Sequence, residues 1–109
     1  MRDPLSNPAK RAIHYLKCWP KFFEAVVSGH KPFEVRKNDR DYRLGDHVVM
    51  YEWDPEKAKE REAEGYSGRE VRGNITYIMA ADCFAGAVGP EYVVLGMEWT
   101  DGIYPKAGT

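Results

Sequence analysis

Between Gly29 and Asp46 the chain concentrates side chains that can bind and polarise a ligand. Nine of these eighteen residues carry a formal charge: Lys31, Arg36, Lys37, Arg40 and Arg43 against Glu34, Asp39, Asp41 and Asp46. Phe33 and Val35 alternate with Glu34 and Arg36, the period-2 pattern of a half-buried strand. The pattern predicts Phe33 and Val35 facing the core, with Glu34 and Arg36 together on the opposite face, about 7 Å apart. Lys31, just before the strand, joins them at its mouth. A Lys and an Arg so placed can donate to a phosphate or a base edge. A Glu can orient them or accept from a base amino group. The bland alternative is a Glu–Arg pair on an exposed strand, worth under ~1 kcal/mol.

Other candidates are weaker. Asn38 and Asp39 have turn chemistry, since Asn and Asp bond their own backbone, and Arg40 beside them can line a cleft or pair with a carboxylate. His14 and Lys17 lie on one strand three residues apart, so they face opposite sides and cannot both line one cleft. His14 is the better candidate of the two. Trp19 is the aromatic chosen for stacking on a base. His30 and His47 have no partner in sequence. No His/Cys/Asp/Glu cluster has metal-ligand spacing, no phosphate or dinucleotide fingerprint is present, and no cofactor is expected.

These residues must be positioned by one domain, because 109 residues supply a single modest core. Hydrophobic content of 43% and charged content of 30% are those of a globular chain. A net charge of −1 does not by itself announce a nucleic-acid binder. The charge is uneven: residues 1–53 balance at +3 and residues 54–109 at −4, so an anion-binding surface belongs to the first half. Cys18 and Cys83 show no metal or redox spacing, which with no secretory segment predicts reduced thiols in a cytoplasm. No apolar run approaches the ~18 residues of a membrane span.

In chain order, residues 1–10 read as a flexible leader and 11–19 as a strand covered on both faces. Pro20 opens a helix over 20–28 with Phe22, Phe23, Val26 and Val27 as its apolar stripe, and Gly29 caps it. Strands follow at 33–37, 47–53, 69–79 and 91–99. Tyr66-Ser67-Gly68 reads as a turn, Gly73-Asn74 as a bulge, and residues 92–95 as fully buried. Asp54 to Gly65 predicts a short, charged, exposed helix with Asp54 as N-cap, or a helical excursion of a long hairpin. Residues 80–90 read as a loop and 101–109 as a loose tail, leaving 11–100 as the domain. Five strands and one early helix predict a small, mainly β, curled sheet or barrel.

Gly29-x-Lys31-x-x-Glu34-x-Arg36 followed by Asn38-Asp39-Arg40, together with His14-Tyr-Leu-Lys17, Phe22 to Val26, Gly45-Asp46 and Tyr66 to Arg69, resembles the bacterial and phage DUF3850 family, within the ASCH domains of the PUA-like superfamily. The resemblance spans about residues 12–99. It implies a five-stranded PUA-like β-barrel with a helix between its first two strands, the 54–65 segment being a peripheral insertion. It implies RNA or a nucleotide as partner, bound in a cleft walled by the Gly-x-Lys-x-x-Glu-x-Arg residues. It also implies an alternative, a metal-independent amidohydrolase acting on N4-acetylcytidine, with Lys31 at the family's catalytic Lys. There Glu34 stands where such enzymes carry a Thr.

Overall fold

The computed structural model of the chain describes residues 11–80 and 89–104. The expected leader, most of the 80–90 loop, Cys83 and the tail beyond Tyr104 lie outside the described residues. Five strands and one helix follow in the order β1 (Ile13–Cys18), α1 (Pro20–Val27), β2 (Phe33–Lys37), β3 (His47–Trp53), β4 (Tyr66–Met79) and β5 (Tyr92–Tyr104). β5 therefore runs past residue 100. They form one sheet in the order β1-β3-β4-β5-β2. The β1–β3 pair is parallel and the other three are antiparallel. The sheet curls into a half-barrel. It does not close into the full barrel expected: among the described residues no ladder joins the two edge strands, β1 and β2.

The inner face carries Leu16 and Cys18 from β1, Val48 and Met50 from β3, Val71 and Ile75 from β4, and Val93, Leu95 and Met97 from β5. Helix α1 closes one side of this core with Phe23 and Val26. Burying Phe23 in full contributes ~1.5–3 kcal/mol, more than an eight-residue helix can supply alone. Pro20 starts the helix as expected. At its other end Gly29 adopts φ 83°, and His30 N–H bonds Ala25 O while Gly29 N–H bonds Val26 O. That is the paired C-terminal motif which needs a left-handed residue.

Several local expectations are overturned. β1 is covered on one face only: His14, Leu16 and Cys18 are buried, Ile13 and Tyr15 exposed. Phe22 leaves the helix's buried stripe and is exposed. The 92–95 run is alternating, with Tyr92 exposed and Val93 and Leu95 buried. Tyr66 to Gly68 begin β4. The β4–β5 irregularities flank Gly73-Asn74 and do not fall on it. Gly73 is required for another reason: a Cβ there would lie 2.6 Å from the Trp99 ring and 2.7 Å from Glu98 O. The 54–65 segment holds no α-helix. Asp54 Oδ1 accepts from Glu56 N–H at 2.9 Å to make a local turn, and only Glu62–Gly65 winds, as a single 3-10 turn. Asp54 N–H bonds Gly65 O at 2.8 Å, so the excursion is pinched at its base. Its few apolar residues give an α-helix there nothing to pack against.

The largest correction concerns β2. Glu34 is 3% exposed, while Phe33 and Val35 are 43% and 51% exposed, the reverse of the sequence pattern. The register with β5 explains it. Glu34 lies opposite Leu95, and Arg36 opposite Val93. Directly opposed residues share a face, and Leu95 and Val93 are core residues. Glu34 and Arg36 are together, as expected, but on the inner face. Phe23→Ala should therefore cost ~3–5 kcal/mol of unfolding free energy. Phe33→Ala should cost roughly 1 kcal/mol or less. Urea denaturation of both variants measures the contrast, and equal losses would contradict this placement of β2.

Candidate functional site

The gap between β1 and β2 is a cleft of about 690 Å³ lined by Lys17, Cys18 and Trp19 on one side and Lys31, Glu34 and Arg36 on the other, with Phe22, Val35 and Tyr92 at its rim. Its floor is the Glu34 carboxylate. Lys31 Nζ donates to Oε1 at 2.5 Å and Arg36 Nε to Oε2 at 3.1 Å. Arg36 Nη2 crosses the gap to the Lys17 carbonyl at 2.8 Å and lies 3.4 Å from Met50 Sδ. One guanidinium thus ties β2 to β1 where backbone pairing is absent. Lys31 also donates to Phe33 O at 3.0 Å, and its ammonium sits 5.3 and 5.9 Å from the Phe33 and Phe22 ring centroids.

One wall is aromatic. Trp19 and Phe22 stack with centroids 6.4 Å apart and planes 26° from parallel. Both remain exposed. The reason is local: Trp19 precedes the helix in an extended conformation, its carbonyl accepting from Phe22 N–H and Phe23 N–H. The first turn then aims Phe22 toward the cleft and Phe23 into the core.

Cys18 lies at the bottom of the β1 wall. Burial first, and the Glu34 charge second, push its thiol up from an ordinary 9.0 to about 11. It is a protonated side chain at neutral pH, without the thiolate that nucleophilic attack requires.

A second polar cluster braces the helix. Arg69 reaches Glu52 with Nε at 3.0 Å and Nη2 at 2.9 Å, and Glu24 of α1 at 2.5 Å, with its guanidinium 5.0 Å from the Phe23 centroid. The Arg69 bonds hold the Glu52 carboxyl below its usual range against the opposing effect of burial. This cluster fixes α1, and with it Trp19 and Phe22, against β3 and β4.

The structure brings Lys31, Glu34, Arg36 and Trp19 to one cleft and leaves the other candidates elsewhere. His14 is not in it. Its Nε2 lies 2.8 Å from Oδ2 of the fully buried Asp46, which also accepts from Arg43 N–H at 3.0 Å and from Ala12 N–H at 3.2 Å. That pair pins the start of β1 to the entry of β3. Asn38 and Arg40 line a separate depression of about 470 Å³ with Asp41, Tyr42, Arg43 and Tyr77. Lys17, the weaker candidate beside His14 in the sequence, lines the cleft together with Cys18 of the same strand. Its ammonium pairs with Glu62 of the excursion and lies 4.4 Å from the Trp53 ring centroid. Among the described residues no group of three or more His, Cys, Asp and Glu side chains could hold a metal ion, and no helix is long and apolar enough to cross a membrane.

The family described as a domain of unknown function, DUF3850, matches residues 13–97, from the first residue of β1 into β5. The chain belongs to the DUF3850 family. It is also similar to an uncharacterized 12.9 kDa protein in the GpA 3' region of Escherichia phage P2, with 37% identity over 65 residues, 59% of this chain and 51% of the relative. The chain thus spans about half the length of the curated relative it matches.

Phe22 and Tyr92 fall outside the expected site of this DUF3850 chain because Phe22 reads as part of the helix's apolar stripe and Tyr92 as part of a fully buried strand.

Two outcomes follow for the DUF3850 chain. Glu34→Gln should cost about 1–3 kcal/mol by leaving Lys31 and Arg36 without their shared counter-ion, part of the usual loss being screened by solvent at the cleft. Urea unfolding measures it. Cys18 imposes a pH dependence of known sign. Its folded pKa is raised, so the folded state holds the proton that the unfolded state releases. Stability should fall as pH rises from about 9 to about 11. Cys18→Ala should flatten that fall, as unfolding curves at pH 8, 9.5 and 11 would show.

Proposed function

We propose that this chain is an ASCH domain of the PUA-like superfamily, and that it binds single-stranded RNA or a nucleotide in the β1–β2 cleft. The half-barrel with a helix between its first two strands supports the superfamily reading. The observation that carries the function is the pairing of an exposed Trp19–Phe22 ledge with the Lys31 and Arg36 cations across one opening. Base stacking on an aromatic plane contributes ~1–3 kcal/mol per base, and cations beside it hold the sugar-phosphate or a base edge. A cleft of about 690 Å³ also suits a nucleotide-sized ligand.

Amidohydrolysis of an acylated nucleoside is the second reading, and the geometry supports it less. Among the described residues the cleft lining has no Ser or Thr, the Cys18 thiol is protonated, and Lys31 directs two of its donors at Glu34 and Phe33 O.

Titration of the purified chain with short single-stranded RNAs tests the proposal. Trp19→Ala should weaken binding by ~1–3 kcal/mol with little change in stability, because the ring is largely exposed. Lys31→Ala should weaken it and lower the salt dependence. Unaltered affinity in both variants removes this cleft from the function. Turnover of N4-acetylcytidine that vanishes with Lys31→Ala favours the amidohydrolase.

A further inference from the structure

The cleft does not present its charges equally. The Glu34 side chain is 4% exposed, whereas those of Lys31 and Arg36 are 18% and 23% exposed. Each carboxylate oxygen already accepts from a cation. A ligand therefore meets N–H donors, with the carboxylate behind them. Lys31 has a third hydrogen beyond its bonds to Glu34 and Phe33 O. Arg36 uses Nε and Nη2 within the protein, and among the described residues Nη1 meets no protein acceptor. No Asn, Gln or Asp lines the cleft among the described residues. The remaining polar lining is the Lys17 ammonium, a thiol, a phenol and the indole N–H of Trp19, of which only the phenol is a good acceptor.

We propose that the cleft selects bases with a keto oxygen at the edge away from the sugar, O4 of uracil or O6 of guanine, over cytosine and adenine, which carry an amino group there; this rests on the nucleotide-binding reading. The ring lies against Trp19 and Phe22, and its keto oxygens take the outward hydrogens of Arg36 and Lys31. Guanine offers O6 with N7, and uracil O4, to the outward hydrogens of Arg36 Nη1 and Lys31 Nζ, at the ring position where adenine and cytosine carry an amino group. An exocyclic amino group aimed at the same wall sets donor against donor and leaves both unsatisfied, which disfavours it by roughly 10-fold or more. Glu34 acts as a positioning residue: it holds the two cations and is itself withheld from the base.

The test uses the full chain and isothermal titration with UMP, GMP, CMP and AMP, followed by U, C and A pentanucleotides. UMP and GMP should bind about 10-fold more tightly than CMP and AMP, and the U pentamer more tightly than the C and A pentamers. Inorganic phosphate at equal concentration should not displace UMP. Trp19→Ala should weaken all four nucleotides by a similar factor and leave their ratio unchanged. Arg36→Lys keeps the charge but loses the outward Nη1 donors, so the ratio should collapse toward one. Because Arg36 also bridges the strands, Lys31→Gln serves as the second variant and should narrow the ratio. Binding of all four nucleotides with equal affinity overturns this inference and leaves the nucleotide-binding reading standing. So does a ratio unchanged in both Arg36→Lys and Lys31→Gln, whereas displacement of UMP by phosphate at matching affinity reduces the cleft to an anion site and overturns both readings. Failure of every nucleotide and pentamer to bind overturns the nucleotide-binding reading and this inference with it.

Discussion

A carboxylate taken out of water must be met by cations or hydrogen bonds, and the Glu34 carboxylate sets that demand at the seam between the edge strands β1 and β2. Lys31 and Arg36 meet it from either side. Because Arg36 also takes the Lys17 carbonyl, the neutralisation of Glu34 and the joining of β2 to β1 are a single arrangement. An apolar residue in place of Glu34 would let the half-barrel pack, but the two cations would then have no fixed geometry. Specificity of arrangement, more than net stability, is what a buried ion pair of this kind provides.

Two other polar groups hold the frame around that cleft. Asp46 is wholly buried and joins the chain before β1 to the chain before β3, through Ala12 N–H, Arg43 N–H and His14. Arg69 joins β3 and β4 to helix α1 through Glu52 and Glu24. Neither reaches the opening. They fix the two walls whose separation defines it, so their loss would be felt at the cleft through geometry. Charge in this small domain is thus divided between bracing the frame and lining the cleft, and the two groups differ in whether a donor is left facing outward.

Much of the frame was legible in the sequence. Pro20 and Gly29 bracket the helix because a fixed φ and a left-handed φ are backbone requirements that a single residue expresses. Five strands, the early helix and the grouping of Lys31, Glu34 and Arg36 follow from period-2 patterning and short spacing. The pattern also fixed that Glu34 and Arg36 share a face. Trp19 was placed at the cleft because it stands at the strand-to-helix junction.

Which face turns inward was decided only by tertiary pairing. A period of two divides a strand into two sets of side chains without saying which set meets the core, and in β2 hydrophobicity pointed the wrong way. The register with Leu95 and Val93 overrode it, since a cross-strand pair must share a face. Nor did local pattern show that β1 pairs in parallel with β3, across the intervening helix and β2. That long-range pairing leaves β1 and β2 as the two open edges, brings the Lys17 carbonyl to Arg36, sends His14 to Asp46, and separates Asn38 and Arg40 from the cleft. The sequence determined which side chains could bind. The closure of the sheet, incomplete at one seam, decided which of them meet.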